Sequence, residues 1–357
     1  MSASKRGVIV VVLSTVLAAA CSSTGEEPSP TQPPTSDPVV LRLGTGDPRG
    51  RPDTPVVERF AESVEEMSAG GMRVEVVWEA GGDSSNGFEQ GVVGLVQDGE
   101  LDLGWIGARA WDTVGVTSFQ ALQAPFLITD HELLTEVLAG SMADEMIVGL
   151  EDVGLVGLGL YPDGLRYPLG YAVPMTSLED FEGADIRLVP SEATEALVRA
   201  LGSRPVYGLT GDALDAAIAS GDVDGTEISL GLAVSIAPKG SVVTGNVVLF
   251  PRVNTLFAGQ DLMASLSDEQ EAILSAAAEE THAFATSATT EDFRAFCEAG
   301  GEVAIASEAD VAALERAARP VYRLLEADPP TKGFIDEIHA LKEGHAVVDA
   351  PSSCGGG

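Results

Sequence analysis

The chain has 357 residues, 45% hydrophobic and 5% aromatic, with 55 Asp and Glu against 20 Lys and Arg and a formal charge of −35. That length suits two globular lobes rather than one, and so acidic a surface argues against nucleic acid or anionic lipid as electrostatic partners. It also repels a free anion at long range, so a site for an anionic ligand must be locally positive.

Residues 1–20 read as a leader. Lys5 and Arg6 form a short positive region, and Gly7 to Ala20 is an apolar run shorter than the ~20 residues of a membrane span. The run ends in Leu17-Ala18-Ala19-Ala20-Cys21, small residues before a cysteine as in a bacterial lipobox. Cleavage before Cys21 and acylation of its thiol would anchor the mature protein; the bland alternative is an ordinary signal peptide with a chance cysteine. Residues 21–38 are rich in Pro, Ser and Thr and read as an extended tether.

From Val39 the pattern alternates. Val39–Gly44 and Met72–Trp78 predict strands, Thr54–Met67 a helix with Val57, Phe60, Ala61 and Val64 on one face, Phe88–Gln97 a second helix, and Leu101–Ile106 a third strand. This β-α-β-α-β order predicts a parallel sheet with helices on its faces. In such sheets ligands collect outside the carboxyl ends of the strands, which points to residues 45–51, 107–111 and the segment after Arg187. Glu132–Leu150 predicts a helix and Gly154–Leu160 a Gly-rich strand. Beyond Ser267, read as a helix cap with Gln270 in the first turn, the chain is expected to be almost wholly helical as far as Gly300, followed by a strand at 303–306, a final helix at Asp310–Glu326 and a loose tail over 344–357.

Arg187 is the most informative single residue. It sits inside the apolar run Ile186-Arg187-Leu188-Val189, where a guanidinium is costly unless an anion meets it. Either a protein acid such as Asp185 or Asp224, or a ligand carboxylate gripped by the planar fork, satisfies that need. Enzyme signals are poor: none of His131, His282, His339 and His345 accompanies a nucleophile motif, and no G-x-S-x-G elbow occurs. His339 and His345 lack one-face metal spacing, and DVDG at 222–225 has its Gly misplaced for a calcium loop, so no metal, cofactor or catalytic residue is expected. Of the three cysteines, Cys297 beside Phe293 and Phe296 reads as a core thiol; an exported compartment would also permit a Cys297–Cys354 bridge.

Four linked motifs carry a family resemblance: Gly164 with Arg166, Asp180 to Pro190, Leu201 to Pro205, and Ala217 to Glu227. Their order and spacing resemble the DctP-type solute-binding proteins of tripartite ATP-independent periplasmic (TRAP) transporters, as do LVQDGELDLGW and ALQAPFLITDHE, so that the likeness spans about residues 39–342. The resemblance implies a two-lobed α/β fold, periplasmic-binding-protein-like and of type II-like form, with hinge strands and a long C-terminal helix across both lobes. Residues 39–160 plus about 247–290 would form lobe I, and 161–246 plus about 291–343 lobe II. It implies an extracytoplasmic receptor, lipid-anchored through Cys21, that delivers a small organic carboxylate to integral membrane TRAP subunits. The rivals are the solute receptor of an ATP-driven importer or sensor, and a lipid-anchored enzyme.

By the same resemblance Arg187 clamps the ligand carboxylate, and Arg166 is the second family arginine, set either at the ligand or in a lobe-to-lobe salt bridge. Arg109, without a motif match of its own, falls where the family lines its cleft, and Trp105, Trp111 and Tyr167 either wall the cleft or belong to the core. Glu227 and Ser229 close the list at the A-L-x-x-G-x-V-D-G-x-E ending. The chain departs from the family pattern where Ile228 replaces a frequent Asn, where Leu209 and Thr210 replace an aromatic, and where Gly107 replaces a strand-end acid. Those losses of polar partners imply a ligand less polar than a sugar acid.

Overall fold

The computed structural model describes residues 37–82, 87–288, 293–345 and 354. The leader, Cys21 and the tether to residue 36 lie outside the described residues.

The first half follows the predicted order. Strands β1 (Val39–Thr45), β2 (Met72–Val77) and β3 (Leu103–Gly107) alternate with helices α1 (Thr54–Met67) and α2 (Phe88–Gln97). β1 pairs in parallel with both β2 and β3. The single expected helix over 132–150 is two, α3 (His131–Ala139) and α4 (Ser141–Val148), because Gly140 adopts an extended conformation between them. Next comes β4 (Leu155–Gly170), far longer than the predicted strand. The second half holds α5 (Leu178–Phe181), β5 (Asp185–Arg187), α6 (Glu192–Ala200), β6 (Arg204–Val206), α7 (Gly211–Ser220), β7 (Gly225–Ile228), α8 (Leu230–Ile236) and β8 (Val242–Thr244). The chain returns through β9 (Phe250–Gly259), α9 (Gln260–Ser265) and α10 (Asp268–Ala288), then re-emerges as α11 (Phe293–Glu298), β10 (Glu302–Ala304), α12 (Glu308–Leu325) and α13 (Pro329–Lys342).

The strands run β2-β1-β3-β9-β4-β7-β5-β6, with β8 and β10 attached beside β4. β4 divides them into two lobes. Residues 155–166 pair antiparallel with β9, itself antiparallel to β3, whereas Tyr167–Gly170 pair with β7, which is parallel to β5. The register slips between Pro162 and Leu165, where proline can sit without breaking a ladder, and Gly164 takes φ +90° there, a conformation that a side chain would strain. The G-x-R motif is therefore a bulge in the hinge strand, two residues before Arg166.

α10 lies along lobe I, packed on α1 and β4. Its buried face of Leu274, Ala277, Ala278, Thr281 and Ala285 is mostly alanine, which permits close approach, and Ser267 and Gln270 form its expected cap. α11 packs on α8 and β10 in lobe II, so α10 and α11 lie on different lobes. α12 is not the last helix. Asp328 caps α13 by accepting from the backbone of Thr331 at 3.0 Å, with Pro329 at the first helical position. Both helices also reach lobe I, where Tyr322 Oη donates to Pro125 O at 2.8 Å and Lys342 Nζ to Phe126 O at 2.7 Å. Cys297 is not a free core thiol: it is bonded to Cys354, whose Cα lies 5.6 Å away. The tail is thereby fixed to lobe II at residue 354.

Candidate ligand-binding site

The candidate site lies where the chain leaves β3, beside the pairing of β4 with the start of β9. A pocket of about 250 Å³, its open mouth included, is lined by Arg109, Leu122, Gln123, Arg166, Phe250 and Arg252, among others. Each of its three arginines is buried with an acid. Arg109 Nη2 meets Glu89 Oε2 at 2.9 Å, both side chains sealed from solvent. Arg166 Nε stands 3.1 Å from Glu227 Oε2, although the two atoms are not aligned for a hydrogen bond. Burial pushes the Arg166 guanidinium down to about 10 against the pull of Glu227, so it stays charged at neutral pH. Arg252 is gripped by Asp163 at 2.7 Å and Asp47 at 2.9 Å, which hold it charged despite burial. Burial opposes the charge on Asp47, yet Arg252 and Arg51 hold its carboxyl below the usual range.

Arg187 differs. Its Nε donates to Leu209 O at 3.1 Å, and among the described residues no carboxylate pairs with it. The two acids adjacent in sequence are engaged elsewhere: Asp185 by Arg204 at 2.6 Å, and Asp224 by the backbone N–H of Asp185 at 2.8 Å. Burial pulls the Arg187 guanidinium down, while Tyr171 and Glu227 favour its charge. Part of its side chain still reaches solvent. Among the described residues, the guanidinium at the end of β5 is thus hemmed in without a carboxylate bonded to it.

The aromatic candidates belong elsewhere. Trp105 is buried against Tyr161, ring centroids 4.5 Å apart, with its indole N–H donating to Asp53 at 3.0 Å. Trp111 packs edge-on to Phe257 and donates to Thr255 at 2.8 Å. Both are core residues of lobe I, because side chains on a buried strand and its sequel face the packed helices. Tyr167 is buried in the ladder opposite Ile228 and stacks edge-on with Phe293. Ser229 is buried at the start of α8, where its carbonyl accepts from Ala233 N at 2.9 Å.

Three site residues escaped the sequence reading. Glu89 on α2 accepts from Gly107 N at 2.9 Å, and a Cβ at Gly107 would lie 2.7 Å from its Oε1. The acid missing from the end of β3 is thus supplied from a helix, and the glycine makes room for it. Arg252 lies in the apolar run Leu249-Phe250-Pro251-Arg252-Val253, the same signal that singled out Arg187. Gln123 carries no such signal. Among the described residues no group of three His, Cys, Asp or Glu is arranged to hold a metal, and no helix is long and apolar enough to cross a membrane.

Two α/β lobes joined by crossing strands, with arginines gathered at the strand ends between them, define the two-lobed binding-protein class. Residues 43–328 match the family model DctP, bacterial extracellular solute-binding protein, family 7. The chain belongs to that family. It is 26% identical over 198 residues to the C4-dicarboxylate-binding periplasmic protein DctP of Rhodobacter capsulatus, covering 55% of this chain and 57% of that protein. It is 24% identical over 171 residues to the C4-dicarboxylate-binding protein DctB of Bacillus subtilis, 47% of each. The chain thus aligns with about half the length of these curated relatives. Among solved structures, a TRAP periplasmic solute-binding protein from Bradyrhizobium in complex with galacturonate superposes with a TM-score of 0.73 at 24% identity, over 84% of this chain and 99% of that one. One from Shewanella oneidensis with bound succinate gives 0.73 at 16% identity, over 85% and 99%. At these identities the likeness establishes the fold.

Proposed function

We propose that this protein is an extracytoplasmic receptor that closes its two lobes around a small organic carboxylate and delivers it to the membrane subunits of a TRAP-type secondary transporter. The observation that carries this reading is Arg187, at the end of β5, which no carboxylate pairs with among the described residues, while Arg109, Arg166 and Arg252 all have acids. Bidentate contact with a carboxylate would orient the ligand, and hinge closure about β4 and β9 would then exclude water and strengthen the pair. Arg166 and Glu227 would form the charged floor beside it.

Family membership and the dicarboxylate named for the curated relatives support a carboxylate ligand. They favour a TRAP system over an ATP-driven importer, and binding over catalysis. The buried, apolar Ile228 at a position that would otherwise offer an amide supports a ligand with fewer hydroxyls than a sugar acid. The lobes would be residues 39–160 with about 247–290, and 161–246 with about 291–343. Lipid attachment at Cys21 would tether the receptor to the outer face of the membrane.

The test is calorimetric titration of a panel of mono- and dicarboxylates, sugar acids and neutral sugars into wild type and Arg187→Ala. A carboxylate should bind wild type and lose affinity by roughly 30-fold or more in the variant, the usual scale for truncating one partner of a buried charge pair. Binding confined to neutral sugars would defeat the carboxylate clamp.

A further inference from the structure

We propose that Lys342, in the last helix, is a positioning residue for the ligand site. Its ammonium holds a turn that Phe126 resists, and that turn sets one wall of the pocket and the backbone beside Arg166.

The turn runs Ala124-Pro125-Phe126-Leu127 in lobe I, closed by Leu127 N donating to Ala124 O at 3.2 Å. Proline at the second position and a positive φ at the third are the marks of a type II turn, whose third position takes Gly or Asn. Here that residue is Phe126, at φ +61°. A bulky side chain in the left-handed region is strained, and it stays there only where its surroundings hold it. What Phe gains in return is packing, since its ring lies against the apolar core. Three bonds from distant segments hold the backbone. Tyr322 Oη of α12 donates to Pro125 O at 2.8 Å, Phe126 N to Leu249 O at 2.8 Å, and Lys342 Nζ of α13 to Phe126 O at 2.7 Å.

Lys342 is the informative member of the three. In a chain with 55 acidic side chains, this half-buried ammonium is spent on a backbone carbonyl, and among the described residues no carboxylate bonds to it. Burial pulls its pKa down, against the charges of Glu315 and Asp130. An ammonium so placed is costly unless the bond it makes is worth having, and the bond it makes is to the strained residue.

The turn joins the site on both sides. Leu122 and Gln123, just before it, line the pocket with Arg109 and Arg166. The Gln123 side-chain amide also stands 3.0 Å from Ser191 Oγ, at the head of α6 in lobe II. Leu249, which accepts from Phe126, donates its own N–H to Arg166 O at 2.8 Å and precedes the pocket residue Phe250. Relaxation of Phe126 to a negative φ would turn the peptide planes on either side of it, so the wall and the Arg166 backbone would lose their fixed places together.

Only the ligand half of the test rests on the receptor reading. In the ligand-free protein, hydrogen exchange over residues 120–128 and 247–253, read by mass spectrometry, should quicken about tenfold or more in Lys342→Met, with β1, β2 and α1 unchanged. Lys342→Arg, which keeps the charge and a donor, should resemble wild type. When both proteins also carry Phe126→Gly, which relieves the strain, Lys342→Met should change exchange in these segments by less than about threefold. Calorimetric titration with succinate, a C4 dicarboxylate, should show about tenfold weaker binding in Lys342→Met than in wild type, and about equal binding when both carry Phe126→Gly. Unchanged exchange in Lys342→Met, a rise spread over the whole molecule, or an equal effect in the Phe126→Gly background would overturn the proposal. So would equal succinate affinity in Lys342→Met and wild type. Succinate that binds none of these proteins would count against the receptor reading for that acid, and the exchange rates would still decide whether Lys342 holds the turn.

Discussion

Replacing Glu227 by Gln tests the buried charge at the floor of the cleft. Arg166 and Glu227 are 4% and 5% exposed and 3.1 Å apart. The arginine stays charged at neutral pH, since burial lowers its pKa only to about 10. The variant therefore leaves a guanidinium in the interior with no counter-charge, which typically costs about 3–5 kcal/mol. Unfolding entropy of about 2.1 cal/mol/K per residue over roughly 300 ordered residues is ~0.6 kcal/mol per degree, so the melting temperature should fall by about 5–8 °C. Differential scanning calorimetry at pH 7 reads this directly. The double variant Arg166→Met with Glu227→Leu, which removes both charges and keeps volume, should recover most of the loss. A fall of less than about 2 °C in Glu227→Gln would refute the reasoning, because the guanidinium would then have found water or another acid.

Two further outcomes follow from buried groups. Asp53 is pushed up to about 7, first by burial and then by the like charges of Asp163 and Asp47, against Arg252. Its folded pKa lies above its unfolded 3.8, so its contribution to stability is intact below pH 4 and is lost as pH rises through 7. Asp53→Asn, which can still accept from Trp105, should accordingly raise the melting temperature at pH 8 and leave it unchanged at pH 4; equal effects at both would count against the assignment. The Cys297–Cys354 bridge closes a 57-residue separation, for which chain entropy gives at most about 4 kcal/mol. Reduction, or Cys297→Ser with Cys354→Ser, should lower the melting temperature by several degrees, as read by the same calorimetry, and no change would mean that the tail contributes nothing to lobe II.

Local pattern alone determined the fold as far as β3. The bounds of α1 and α2 follow from apolar spacing and from the Asp-Gly stop after Gln97, and the parallel order of β1 to β3 follows from their alternation with helices. Pattern also exposed Arg187, because a guanidinium within an apolar run is anomalous wherever the chain goes. Pattern missed α13: the expected final helix ended at Glu326, although Asp328-Pro329-Pro330 offers a cap followed by proline.

Tertiary structure decided which arginine keeps a free hand. Arg187 and Arg252 both sit in apolar runs, and nothing local in the sequence tells which of them finds an acid. The partners that neutralise Arg109, Arg166 and Arg252 come from other elements, Glu89 from α2, Glu227 from β7, and Asp47 and Asp163 from a loop and the hinge strand. Likewise the insertion of β9 between β3 and β4, the Cys297–Cys354 bridge and the meeting of Asp112 with Ser191, 79 residues apart, depend on how distant segments fold together. Sequence periodicity reports which face of an element is buried; it carries no information on which distant charge will be buried against it.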